Sequence, residues 1–398
     1  MKNRLRRGLA SLAVIAGQVI VMAAVASPAV LAADEPPAPA APGAQADRFW
    51  VKLDYLAWTV RGDRLPPLVT TSRSGTPRAQ AGVLGAQGTT ILFGESTVNN
   101  EWRSGGRLQV GYWFDPRRTS GIEGSFFALE NASTGFSADS GGDPILARPF
   151  YDVVSNQQAA LLGAFTGTLA GSLSASETSR VLGADVHYVR ALGTWRAERL
   201  TARVGYRYLR ASDRLAVSGT STITAAGGPI PVGSAVAVGD AFSAASDFHG
   251  LDLGVAGELA RGRWMLDWQA RVALGANRND AHISGVTTTT VGGDTTTTPG
   301  GLLSLSSNSG GYRRTCFAAV PHLALNAGYE FAPGWRVTGR YELLYWSAVQ
   351  RAGSLIDTRV NPNLLPPALG GGPLVPQAQL TATSLLAHGV GVGVSYSF

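Results

Sequence analysis

From about residue 48 onward, apolar and polar side chains alternate with period two, the signature of strands that divide two environments. Trp264, Leu266, Trp268, Ala270, Val272 and Leu274 share one face of such a segment, and Met265, Asp267, Gln269 and Arg271 share the other. No charge falls on the first face. Leu200, Ala202, Val204, Tyr206 and Tyr208 oppose Thr201, Arg203, Gly205 and Arg207 in the same way. Leu108, Val110, Tyr112 and Phe114 oppose Arg107, Gln109 and Gly111, while Phe49, Val51, Leu53 and Tyr55 oppose Lys52 and Asp54. The pattern predicts ten strands, at 48–60, 104–115, 119–130, 180–192, 198–210, 246–260, 262–275, 316–331, 334–348 and 384–398.

The connections alternate in length. Tight turns are expected at Asp115-Pro116-Arg117-Arg118, near Gly193, at Arg261-Gly262 and at Ala332-Pro333-Gly334, whereas 61–103, 131–179, 211–245, 276–315 and 349–383 are long. Short turns on one side and long loops on the other is the plan of an outer-membrane barrel. The fold class expected is therefore all-β: a transmembrane antiparallel up-and-down β-barrel of about ten strands. Twelve strands result if 150–175 adds a hairpin; the apolar, Gly-rich stretch 159–173 can instead fold inward as a constriction. A soluble sandwich shares the alternation. Its strands run to about 5 to 6 residues, half the length seen here. The threonine tract at 286–298 reads either as a hairpin above the membrane or as a flexible polar loop.

Both ends of the chain agree with a barrel. The last strand sets Gly389, Gly391 and Gly393 against Val390, Val392 and Val394, and the chain closes on Phe398. The spacing Gly393, Tyr396, Phe398 resembles the C-terminal insertion signal of bacterial outer-membrane barrels, so the barrel-insertion machinery is an expected partner during biogenesis. Aromatics near the turn side, such as Phe49, Phe114, Trp335, Tyr396 and Phe398, suit an interfacial girdle. At the other end, Lys2, Arg4, Arg6 and Arg7 precede an apolar run over 8–26, and Val30-Leu31-Ala32 offers the small residues of a cleavage site. Residues 1–32 read as a signal peptide, 33–47 as a Pro/Ala-rich periplasmic linker and 48–398 as the barrel.

Composition narrows the functional classes. Without the four basic residues at the start, 29 Lys and Arg face 27 Asp and Glu, a net charge near +2 that indicates no nucleic-acid partner. Only 15% of residues are charged and 50 are Gly, as strands with one lipid face and one lumen face require. The single Cys316 forms no intrachain disulfide and reads as a small apolar strand residue. The expected partner is the lipid bilayer of the bacterial outer membrane, and homo-oligomerisation stays open.

The face assignment directs a mixed set of polar groups into the lumen. Its cations are Lys52, Arg107, Arg203, Arg207, Arg271 and Arg340, and its acids are Asp54, Glu123, Asp185, Asp252, Glu258, Asp267, Glu330 and Glu342. Gln109, His187, Gln269, His322 and Asn326 join them. Barrels of about 8 strands are filled by side chains and aqueous channels are typical of 16 to 18, so ten strands sit near the filled end. Opposite charges in a narrow lumen should pair, because an unpaired charge away from water is costly.

Several motifs resemble the putative beta-barrel porin-7 family of outer-membrane proteins. They are Leu65-Pro66-Pro67-Leu68-Val69-Thr70, Thr90-Ile91-Leu92-Phe93-Gly94, Arg103-Ser104-Gly105-Gly106-Arg107-Leu108 with Gly111-Tyr112-Trp113, and Pro144-Ile145-Leu146-Ala147-Arg148-Pro149-Phe150. Leu344-Tyr345-Trp346, Ile356-Asp357 and Val360-Asn361-Pro362 extend the likeness over nearly the whole mature chain, the stretch 364–377 fitting least. The resemblance implies an outer-membrane barrel with porin activity taken from its shape, and it brings no catalytic residue, metal ligand or cofactor.

Three functions follow as expectations. The first is a narrow porin-like passive channel for small solutes. The alternative is a non-conducting structural or adhesive barrel acting through its long outer loops, one of which carries Arg61-Gly62-Asp63. A hydrolase is the third, resting on Asp247-Phe248-His249 and Asp280-Ala281-His282, which put an acid and a His on one side of a strand near the outer rim.

Overall fold

The computed structural model describes residues 48–195, 198–226 and 230–398. The expected signal peptide and linker lie outside the described residues. Ten antiparallel strands form the wall: β1 (Phe49–Val60), β2 (Trp102–Trp113), β3 (Ser120–Leu129), β4 (Leu169–Trp195), β5 (Glu198–Ile223), β6 (Ala235–Arg261), β7 (Trp264–Val291), β8 (Gly310–Ala332), β9 (Trp335–Val349) and β10 (Thr383–Ser397). Each pairs with its neighbours in sequence, and β10 pairs with β1 from Trp50↔Ser397 to Val60↔Ala387, closing the ring.

The turn side matches the chemistry of its sequence. Asp115 accepts backbone N–H bonds from Thr119 and Ser120, and Gly262 and Gly334 supply the positive φ that the β6–β7 and β8–β9 turns need. Aromatic rings run along the same end: Phe49 meets Phe398, Phe398 meets Tyr396 and Tyr396 meets Trp335, at centroid distances of 5.2, 4.7 and 4.7 Å. Outward of this girdle the exterior is apolar, with Tyr55, Val110, Val204, Leu253, Leu274, Leu325 and Val392 all exposed. Among the described residues no helix is long and apolar enough to cross a membrane.

The wall is taller than the pattern predicted. Segments 211–245 and 276–315 were expected as loops, yet β5 continues to Ile223, β6 begins at Ala235, β7 runs to Val291 and β8 begins at Gly310. Strands of 26 to 28 residues far exceed the roughly 9 to 11 that cross a bilayer. The reason is a change of phase. On β5 the apolar residues occupy the outward positions through Tyr208, then shift to the inward ones at Leu209, Ala211, Leu215 and Val217, while Arg210, Ser212, Arg214 and Ser218 turn outward. The outer half of the wall is thus a water-facing sheet with an apolar interior, continuous with a membrane-facing sheet of opposite sense.

That apolar interior is covered by the chain's own loops. Val69–Ser72, Thr90–Phe93, Ile145–Asp152, Gln157–Ala164 and Arg359–Val360 form a five-stranded sheet of their own. Leu65, Leu68, Phe93, Leu146, Phe150, Leu302, Leu305, Leu355 and Val360 pack with Leu173, Leu215, Phe242 and Ile283 of the wall in one buried core. Of the hairpin considered for 150–175, the part up to 164 adds nothing to the ring and folds inward because the inner wall there is apolar, whereas 169–175, expected within a loop, opens β4 in the wall itself. The two strands that enlarge the sheet to twelve are Ala132–Ser140, paired with the outer part of β4, and Asp294–Pro299, which closes the threonine hairpin on β7.

Candidate functional site in the lumen

From the turn end outward, the lumen holds four layers. The first is a polar vestibule of about 190 Å³, lined by residues that include Lys52, Gln109, Glu123, Arg203, Glu258, Asp267, Gln269, Asn326 and Arg340. Arg203 is paired with Glu123, Asn326 donates to Asp267 at 2.7 Å, and Lys52 donates to Asn326 at 3.2 Å and lies 3.4 Å from Asp54. Glu330 sits at the mouth, 3.2 Å from Arg336.

The second layer is a network of ion pairs. Arg107 binds Glu342 through both guanidinium ends, at 2.8 and 2.6 Å, and Arg340 and His322 lie 3.0 and 3.3 Å from the same carboxylate. Arg207 reaches Asp252 at 2.9 Å and Asp185 at 3.6 Å, and Arg271 reaches Asp185 at 3.4 Å and Asp252 at 3.5 Å. His187 fills the gap, 3.0 Å from Asp252. These contacts join β2 to β9, β5 to β8 and β4 to β7, strands that are not neighbours in the ring, so they act as spokes. Excess charge in such a site would carry a large desolvation penalty, and the near balance of acids and guanidinium groups limits it.

The third layer is apolar. Leu56, Trp58, Phe127, Val181, Leu209, Phe248, Ala273, Val320, Leu344, Trp346 and Leu385 are buried together, and every wall strand except β2 supplies at least one of them. Arg107 of β2 lies beneath, its guanidinium 5.5 Å from the Trp58 ring centre and 5.7 Å from that of Phe127. Glycine makes this filling possible. A Cβ on Gly389 would strike Trp58 and the Ala57 carbonyl, and one on Gly393 would strike the Asp54 carboxylate. The cavity between the ionic and apolar layers is about 10 Å³, roughly the room of a single water.

The fourth layer ties the loops to the wall. Asp240 of β6, fully enclosed, is paired with Arg148 and accepts the backbone N–H groups of Leu302, Leu303 and Ser304 at 3.1, 3.0 and 2.8 Å. Asp213 of β5 is paired with Arg351, whose Nη1 donates to the Arg61 carbonyl at 2.9 Å. Asp63 accepts the Gly353 N–H, and its carboxylate lies within 4.8 Å of those of Glu177 and Asp213. Burial, followed by the neighbouring acids, pushes the Glu177 carboxyl up to about 8, and burial raises Asp63 to about 6. Arg61-Gly62-Asp63 is thus no exposed adhesive tripeptide, because Asp63 is buried as a structural anchor.

The alternation on single strands had no means of reaching Arg148, Arg351 and Asp63, which lie on loops. Glu177 and Asp213 continue the inward parity of Asp185 and Arg207, so that parity, carried further along the strands, would have found them. The two acid–His pairs point outward from the wall. His249 shares a hydrogen bond with the Tyr206 hydroxyl, Asp247 binds Tyr208 and Arg210, and both oxygens of Asp280 are held by Arg278 and Arg313. Neither acid orients its histidine, which a dyad needs.

Residues 50–398 match the family described as putative beta barrel porin-7. The chain belongs to that family. It is therefore an outer-membrane β-barrel protein, and its exposed apolar band and girdle suit a lipid surround. No curated protein matches the sequence. Among solved structures, the outer-membrane protease OmpT of Escherichia coli is 11% identical over 89% of this chain and 97% of its own, with a TM-score of 0.35. The outer-membrane channel DcaP of Acinetobacter baumannii is 9% identical over 88% and 96%, with a TM-score of 0.17. A TodX mutant described as a monoaromatic hydrocarbon channel is 8% identical over 88% and 90%, with a TM-score of 0.20. Likeness this slight carries no argument about what this barrel does.

Proposed function

We propose that this barrel is sealed in its resting state and works from its outer end, as a non-conducting scaffold that holds its own loops in a fixed arrangement above the membrane. The single observation that carries this reading is the succession of ion-pair spokes, aromatic septum and docked loops, with a cavity of only about 10 Å³ at the first junction. A hydrated ion has no path through side chains that leave space for about one water.

The narrow passive channel is the second reading, and the polar vestibule of about 190 Å³ favours it, since a polar chamber open toward the turn end is what a solute would enter. Conduction then needs both septum and plug to move. Full-length mature protein, refolded and inserted in planar bilayers, decides between them. Silence from protein with heat-modifiable gel migration is expected. Sustained conductance steps whose ion selectivity changes in Arg207→Glu and Arg271→Glu would establish the channel instead.

A further inference from the structure

The exterior of the wall carries arginines for which neither the seal nor the plug has a use. Arg180 on β4, Arg210 and Arg214 on β5, Arg278 on β7 and Arg313 on β8 all point away from the lumen, with Asp247 and Asp280 as the carboxylates beside them. They begin where the apolar band ends: the outward neighbours of Arg180 and Arg210 on the membrane side are Leu182 and Tyr208. Between them opens a groove of about 450 Å³. Its floor is Ser212, Ser243 and Ala245, short side chains on two central strands, and its sides are Arg180 and Arg214 on one hand and His282 with Asp280, whose carboxylate is held by Arg278 and Arg313, on the other. Arg210, Arg278 and Arg313 are engaged by the two aspartates, and Arg180 donates through Nε to Asn131 at 2.9 Å. Among the described residues the Arg214 side chain has no hydrogen-bond or ion-pair partner.

We propose that this groove seats the phosphorylated sugar headgroup of an outer-leaflet glycolipid, whose acyl chains lie down the apolar band beneath it. Guanidinium forks match phosphate oxygens in geometry and charge. The serine floor offers hydroxyls to a sugar, and Tyr206 and Tyr208 stand at the level where amphipathic rings settle in a bilayer interface. Position separates a lipid from a free anion. A groove at the boundary between an apolar and a polar exterior holds a molecule that has both parts.

The test uses the refolded full-length protein in neutral-detergent micelles, titrated with a diphosphorylated disaccharide glycolipid, the same lipid without phosphates, and inorganic phosphate. Arg180→Ala/Arg214→Ala is compared with Arg190→Ala, which removes an outward arginine at the turn end, and heat-modifiable migration verifies folding. The double variant should bind the phosphorylated lipid at least about tenfold more weakly, and the unmodified protein should prefer it over the dephosphorylated lipid by a similar factor. Unchanged affinity in the double variant, an equal loss in Arg190→Ala, equal binding of the dephosphorylated lipid, or inorganic phosphate competing as strongly as the lipid would each overturn the proposal.

Discussion

Arg107 and Glu342, 235 residues apart, face each other across the lumen in a two-pronged ion pair with both side chains almost wholly withdrawn from water. Neither can be left alone there. Glu342→Ala should destabilise the barrel by about 3–5 kcal/mol because it takes the carboxylate from both Arg107 and Arg340, Arg107→Ala should cost less because Arg340 still lies 3.0 Å from Glu342, and the double replacement should cost clearly less than the sum. Urea unfolding in detergent, followed by tryptophan fluorescence, measures all three.

Asp240 holds two separate loops, through Arg148 and through three consecutive backbone N–H groups. Asp240→Ala should release the plug while leaving the membrane-spanning part of the wall closed. Expected are rapid proteolysis within 140–165 and 300–309 and unchanged heat-modifiable migration of the intact band; protection equal to that of the unmodified protein would show that the anchor is dispensable.

Stability should depend on pH through the acid cluster of the fourth layer. The docked loops hold Glu177 at about 8, against an ordinary value of 4.5, and Asp63 at about 6, against 3.8. Between the ordinary and the raised value the folded form keeps a proton that the unfolded chain has released, so stability falls as pH rises across that window. The loops should be most resistant to unfolding near pH 4 to 5 and progressively less so toward pH 8 to 9, and Glu177→Gln should flatten most of the slope. A slope of the opposite sign in loop proteolysis or hydrogen exchange would refute the assignment.

The alternation made the membrane-spanning strands legible because lipid imposes one strict rule on one face. Leu200 through Tyr208 obey it without exception. Beyond Tyr208 the apolar set changes sides, and a pattern summed over the whole segment cancels to resemble a loop. That is why β5 was expected to end at about 210. The pairing of Arg107 with Glu342 was legible only as a requirement that charges balance; which partners meet depends on stagger around the ring. The septum was hidden for a related reason, since Trp58 and Trp346 lie inward on strands whose inward positions nearer the turns, Lys52, Asp54, Arg340 and Glu342, are charged.

Replacing Trp346 by Ala should cost roughly 3–5 kcal/mol, the range for emptying a buried aromatic site. If septum and plug both close the lumen, Trp58→Ala/Trp346→Ala alone should stay silent in planar bilayers, and conductance should appear only when Asp240→Ala is added. Current through the tryptophan variant by itself would mean that the docked loops do not seal.

Phe398 packs 5.2 Å from Phe49 and 4.7 Å from Tyr396 at an exposed edge. If the terminal ring serves insertion more than stability, Phe398→Ala should cut the yield of assembled protein in cells severalfold while moving the urea midpoint of the purified barrel little. Equal losses in both would assign the ring to packing instead.

The reversal of phase within single strands also protects against misalignment. A slip of β5 by one residue against β6 would move Arg203 and Arg207 toward lipid and, further along the same strand, Leu215 and Val217 toward water. Two solvents with opposite demands would reject the same error together. A strand that obeys lipid alone has one such guard, and β5 has two.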